Sequence, residues 1–215
     1  MCRTETGIKM VKILSLGIYE NDKKQYEVIG FILATNKFCK FKLSYVVKGN
    51  RRCWDIGAIT EVESFRNIDE DNIEIIGDSK LYKYLAKEEL KIVLKENKID
   101  FNKSITNSSI RFLVVEPKII KKIFIKNSKN YIEFISEGIN KEFKIKDSRW
   151  IKYWDYILKK NNESLLKEKE IHYRDFLNSK DVFFVGYKET IDKRNTNYRY
   201  KTNDNYINIT SVFWF

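Results

Sequence analysis

Apolar and polar side chains alternate in four consecutive runs from Ser109 onward: Ser109 to Glu116, Lys118 to Lys126, Lys129 to Ser136 and Asn140 to Lys146. A period of two over such lengths predicts strands with one wet and one buried face. The link Glu137-Gly138-Ile139-Asn140 predicts a hairpin, because its glycine accepts a positive φ without strain. The period then changes. From Ser148 to about Asn161 the apolar residues Ile151, Trp154 and Leu158 fall at i, i+3 and i+7, which predicts a helix with Trp150 and Trp154 packed in a core. Two long strands, Asp181 to Lys188 and Tyr198 to Phe215, close the chain, the second broken by a turn at Asn203-Asp204-Asn205.

The first half repeats this grammar less regularly. Strands are predicted at Val11 to Tyr19, Glu27 to Thr35, Lys40 to Val47, Trp54 to Phe65 and Asn72 to Ile76. Asp78 or Ser79 then caps a predicted helix that carries Leu81, Tyr84, Leu85, Leu90, Val93 and Leu94 and ends near Asn97. Strands, helix, strands is the wiring of the five-stranded Greek-key barrel called the OB fold. The expectation is a mostly β protein of two OB-like antiparallel Greek-key barrels, each with an associated helix. Residues 98–108 (KIDFNKSITNS) are polar and form the predicted linker, so the first domain is placed at residues 10–103 and the second at 104–215. Residues 1–9 are polar and pattern-free, as expected of a disordered tail or a start codon called too early. Pro117 lies between two strand runs, where a missing N–H costs least.

Composition narrows the function. With 43% hydrophobic and 14% aromatic residues in 215, the chain can bury a real core. No segment stays apolar for the roughly 18 residues of a membrane span, and the start lacks a secretory h-region, so a cytoplasmic protein without a membrane partner is expected. Cys2, Cys39 and Cys53 share no C-x-x-C spacing and read as free thiols. Net charge is +11 and unevenly spread: residues 1–108 hold 19 Lys and Arg against 16 Asp and Glu, residues 109–215 hold 22 against 14. The second half therefore attracts polyanions more strongly. Lysine, asparagine and isoleucine bias from an AT-rich coding sequence would produce some of the same excess.

Binding residues are sought where cations and aromatics interleave. The connection between the last two strands contains Lys188, Lys193, Arg194, Arg199 and Lys201 against Glu189 and Asp192, with Tyr198 and Tyr200 between them. In an OB barrel this is the loop between strands four and five, where basic groups follow a backbone and ring faces stack on bases. A second cluster, Arg51, Arg52 and Trp54, precedes the fourth strand. Catalytic chemistry is thinly represented. His172 is the only histidine, there is no phosphate-cradling glycine loop, and no metal site or cofactor is expected. Glu142 and Lys144 on one strand, with Glu133 or Glu137 as a second acid, have the spacing of metal-dependent nucleases, a pattern that a solvated strand face also produces.

Several segments also resemble a family. Met10 to Gly17, the Arg111-Phe112-Leu113-Val114-Val115 strand, the Glu142 to Trp150 step from strand to helix, and Asp181-Val182-Phe183-Phe184-Val185-Gly186 resemble the dual OB-containing domain proteins of prokaryotes. Asp147 stands where that family's strand-to-helix step carries an aspartate, and Gly186 where its late strand carries a glycine. The resemblance implies nucleic-acid or nucleotide sensing, as an accessory of an antiviral defence system, and no catalytic residues. The expectation is thus non-catalytic binding of single-stranded nucleic acid or a nucleotide signal. The alternative is an interaction module that docks on a partner protein of the same operon through Phe213-Trp214-Phe215, and a further rival is the nuclease.

Overall fold

A computed structural model describes residues 10–21, 25–43, 51–107, 109–160, 163–189 and 206–215, with the side chains of residues 51, 52, 163 and 206 left aside. It divides into two compact units, Met1–Leu90 and Lys91–Phe215, the division falling within helix α1 (Lys87–Glu96).

In the first unit β1 (Val11–Glu20), β2 (Tyr26–Ile32) and β3 (Lys37–Leu43) form an antiparallel meander. β4 (Ala58–Val62) pairs with the other side of β1, then bends at Glu63-Ser64 into β5 (Phe65–Asn67). β5 pairs with β6 (Asn72–Ile75), and β6 lies parallel to β3. The order β5-β6-β3-β2-β1-β4-β7 therefore has β5 at one edge and β4, the preceding segment of the same bent strand, next to the other edge, which curls the sheet around a core of Ile13, Val28, Phe41, Trp54, Val62 and Ile73. Gly30 permits this closeness: a Cβ there would stand 2.8 Å from both Ile13 Cγ2 and Phe41 Cε2.

β7 (Ser79–Tyr84) covers the open side of β4 and corrects the sequence reading of a helix from Asp78. The Ser-Lys-Leu-Tyr-Lys-Tyr stretch alternates, and pairing with β4 satisfies its backbone, so it extends. The helix starts eight residues later. Glu89 accepts the backbone N–H of Ala86 at 2.8 Å, the reciprocal half of a capping box, and α1 follows.

The second unit uses the same wiring with the bend elsewhere. β8 (Phe112–Val115) pairs with β12 (Val182–Glu189), and after Glu116-Pro117-Lys118 the chain resumes as β9 (Ile119–Lys126). β9, β10 (Lys129–Ser136) and β11 (Ile139–Ile145) form the meander; β13 (Tyr206–Trp214) runs parallel to β11 and antiparallel to β12. The order β8-β12-β13-β11-β10-β9 begins and ends on consecutive segments, hinged at Pro117. Both units are OB-like, partly open barrels in a mostly β protein. The segment read as a linker carries α2 (Phe101–Thr106), whose Phe101 is buried against Phe134 and Phe143 in the second core.

α3 (Ser148–Lys160) sits between β11 and β12 in the chain, as the OB wiring requires. Its buried stripe is Trp150, Trp154 and Ile157, shifted from the predicted Ile151-Trp154-Leu158, while Leu158 is exposed. Asp147 sets this orientation: Oδ1 accepts from the N–H groups of Arg149 (2.9 Å) and Trp150 (3.4 Å), and Oδ2 from Val212 of β13 (3.2 Å). A further helix, α4 (Glu163–Asn178), occupies the stretch around His172, for which the sequence pattern predicted no element. It lies along β9. Asn178 accepts the N–H of Ile120 at 2.8 Å and donates to its carbonyl at 2.9 Å, and Glu170 accepts from the N–H of Ile125 at 3.3 Å. A helix thus closes an edge that would otherwise present unpaired peptide groups.

Candidate nucleic-acid interface

The outer face of β9, β10 and β11 is dictated by two turns. Asn127 and Ser128, at φ 52° and 57°, form a two-residue connection that places Lys126 opposite Lys129. Glu137 and Gly138, at φ 50° and 79°, do the same between β10 and β11, setting Ser136 opposite Ile139. Positive φ at both central positions matches the twist of a hairpin. Alternation then sends Ile123, Ile132 and Phe143 to the core and the residues between them outward.

Three cross-strand rows result. The first is Lys126–Lys129; the second is Phe124–Tyr131–Lys144; the third is Lys122–Glu133–Glu142. The rings of Phe124 and Tyr131 stack with centroids 5.5 Å apart and planes 15° from parallel, and Lys122 Nζ stands 4.7 Å from the Phe124 centroid. Neither ring belongs to the barrel core. Lys126 and Lys129 are exposed, face each other, and make no ion pair among the described residues. Like charges in directly opposed positions destabilise a sheet, so fold stability does not account for them. The middle row continues around the barrel through Asn208, Tyr187 and Phe112. Tyr187 and Phe112 are buried with their rings 5.2 Å apart, and the buried Asn208 amide nitrogen has no hydrogen-bond partner among the described residues.

Glu170 lies at the β9 edge of this face. Burial pushes its carboxyl above the usual range, while the Ile125 N–H and the charges of Lys122 and Lys167 pull against that rise. Glu133 accepts from Asn140 Nδ2 at 2.8 Å, and Glu142 is its direct cross-strand neighbour. Among the described residues no group of three or more His, Cys, Asp or Glu is placed to hold a metal ion.

The residues proposed from sequence fall in three classes. Lys193, Arg194, Tyr198, Arg199, Tyr200 and Lys201 lie outside the described residues. Arg51 and Arg52 lie in a short 3-10 turn, Arg51–Trp54, with their side chains outside the description. Trp54 and Lys188 are described, and both are interior. Trp54 packs 6.3 Å from the Phe41 ring centroid in the first core. Lys188 is 1% exposed; its Nζ donates to the carbonyls of Asn107 (2.7 Å) and Ile105 (3.5 Å) at the end of α2, so it closes a helix C-terminus. Burial first, and Lys141 second, hold its amine below the ordinary lysine range.

The C-terminal aromatics expected as a docking surface are largely engaged within their own unit. Phe213 is buried, Trp214 meets Phe176 edge to face at 6.2 Å, and Phe215 meets Phe183 at 6.0 Å. A cleft of about 270 Å³ beside the Pro117 hinge is lined by Lys98, Glu116, Lys118 and Glu137. Its carboxylates are committed locally, Glu116 to Lys98 at 2.9 Å and Glu137 to the N–H groups of Phe101 and Asn102 at 2.8 and 3.3 Å.

Sequence reasoning missed Phe124 and Tyr131, although the signal was present. Each is an aromatic on the polar face of an alternating strand, Phe124 between Lys122 and Lys126, Tyr131 between Lys129 and Glu133. Their meeting depends on the turn register, which a sequence motif does not display.

No protein-family model matches the chain, and no curated protein matches it in sequence. Among solved structures, a crystal structure of the p204 HINb domain is similar over 97% of this chain and 97% of its own, with 8% identity and a TM-score of 0.45. A murine DNA binding protein bound with double-stranded DNA is similar over 96% of this chain and 93% of its own (8% identity, TM-score 0.43). The tetrameric p202 HIN2 structure covers 100% of both chains at 5% identity and a TM-score of 0.42. Likeness at this level assigns neither family nor function, and the architecture rests on the strand pairing described above.

Proposed function

We propose that this chain binds nucleic acid, without catalysis, through the outer face of its second barrel. The observation that carries the reading is the directly opposed Lys126 and Lys129, without an ion pair among the described residues, beside an aromatic pair on the same outward face. OB barrels bind oligonucleotides through such a strand face. The charge distribution agrees, since residues 109–215 hold most of the net +11. By their charge Lys193, Arg194, Arg199 and Lys201, and by their rings Tyr198 and Tyr200, all between β12 and β13 in the chain, belong to the same proposal. A place in prokaryotic antiviral defence rests on the sequence resemblance alone, and the functions encoded by neighbouring genes test it.

Fluorescence anisotropy with a labelled oligonucleotide at several salt concentrations tests binding. The log–log slope should be about −0.7 per phosphate engaged on a single strand or about −0.9 on a duplex. Lys126→Glu with Lys129→Glu should weaken binding and flatten the slope by roughly one unit for each phosphate the variant no longer engages. Affinity that does not respond to salt, or that is untouched by the double substitution, refutes the reading.

A further inference from the structure

We propose that the stacked Phe124–Tyr131 pair is a platform for the unpaired bases of a single-stranded nucleic acid that crosses the strands along the Tyr131–Lys144 row. This rests on the nucleic-acid reading above and adds to it the class of ligand.

Three observations carry it. First, the rings project from the wet face and lie outside the barrel core, so their alignment is a local surface arrangement. Second, the cations are distributed on both sides of the rings. Lys122 and Lys126 lie two positions either side of Phe124 on β9, each roughly 7 Å along the strand, and Lys129 lies two positions from Tyr131 on β10. The row on the Lys122 side also carries Glu133 and Glu142, so a backbone crossing the strands meets its cations on the Lys126–Lys129 side. Third, the row has ring chemistry at its β9–β10 end and a lysine, Lys144, at the next strand, where a phosphate following the stacked base would arrive.

The rings decide between ligand classes because lysines do not. A duplex offers phosphates and groove edges while its base faces stay stacked internally, so lysines engage duplex and single strand alike. Only an unpaired base can add its face to an aromatic side chain, whatever its identity.

The test uses the full chain and measures anisotropy with labelled single-stranded DNA, single-stranded RNA of the same sequence, and the matching DNA duplex. Phe124→Leu and Tyr131→Leu keep apolar bulk and remove the ring; Tyr131→Phe keeps the ring. Each leucine substitution should weaken single-strand binding about 5- to 150-fold, the range for losing one stacked base. The salt slope should stay unchanged, and duplex affinity should be unaffected. Tyr131→Phe should retain wild-type affinity. Equal affinity for duplex and single strand, or leucine variants that bind single strands like wild type, overturns the platform. If the Lys126 and Lys129 substitutions weaken binding while the ring substitutions do not, the platform fails and the proposed function stands. If no oligonucleotide binds, both fail. The DNA and RNA arms show which single strand is preferred.

Discussion

Asp147→Ala should be among the most damaging single changes to the second unit, although it removes only a carboxylate. The side chain is 2% exposed and performs two structural tasks. Its Oδ1 caps the first turn of α3 through Arg149 and Trp150, and replacing such a cap by alanine costs about 0.5–2 kcal/mol. Its Oδ2 accepts the N–H of Val212 in the buried part of β13; alanine orphans that donor at about 1–3 kcal/mol. The Arg149 guanidinium, 3.0 Å away, adds little because that side chain is half exposed. Together the loss is about 1.5–5 kcal/mol, a large share of the roughly 5–15 kcal/mol of a typical domain. Asp147→Asn should fall between, because asparagine still caps but presents at most one oxygen to donors that lie on two sides. Trp150 and Trp154 lie on the helix in question, so urea denaturation followed by tryptophan fluorescence reports the affected unit. An alanine variant within about 0.5 kcal/mol of wild type, or asparagine as damaging as alanine, would refute the two-task account.

The edge closure and the first barrel offer two more tests. Asn178→Ala should expose the Ile120 peptide, cost about 1–2 kcal/mol because water can replace part of the bonding, and promote concentration-dependent association through β9; light scattering unchanged across a dilution series would contradict this. In the first unit, burial pushes Glu27 upward, but the Tyr19 hydroxyl, the Lys40 charge and the Asn21 amide outweigh it and hold its carboxyl below its ordinary value of 4.5. A depressed carboxylate stabilises the fold above that value and loses the contribution as pH falls through the lower folded value. Glu27→Gln should therefore be less stable near neutrality and should lack this part of the acid-induced loss, as urea midpoints across acid pH would show; parallel profiles for variant and wild type would count against it.

The two residues singled out by the sequence resemblance have structural roles of their own. Asp147, the aspartate of the strand-to-helix step, joins α3 to β13. Gly186 lies where β12 shifts register against β13, and a Cβ there would come within 3.1 Å of the Asn208 carbonyl and of Leu113. Both serve barrel closure.

What the sequence by itself determined was local. The runs around Lys129–Ser136 and the turns at Asn127-Ser128 and Glu137-Gly138 specify their own hairpins, because alternation and positive-φ turns act over a few neighbouring residues. The helix from Ser148 and the burial of Trp150 and Trp154 were legible for the same reason. Only the tertiary structure decided the rest. Ser79–Tyr84 extends because β4 has an open side to pair with, which overrides a plausible cap at Asp78. α4 is placed by the packing of Leu177, Tyr173 and Phe176 on the second core, together with the β9 peptide groups it satisfies through Asn178 and Glu170. Lys188 reads as a surface cation beside a basic loop, yet the carbonyls it closes belong to residues some eighty positions earlier. The parallel pairing of β11 with β13, and hence the row from Phe124 through Tyr131 and Lys144 to Asn208, brings together side chains from four strands. Such non-local pairings are set by which edges and faces remain unsatisfied once the local elements have formed, information carried by the whole chain rather than by any one window of it.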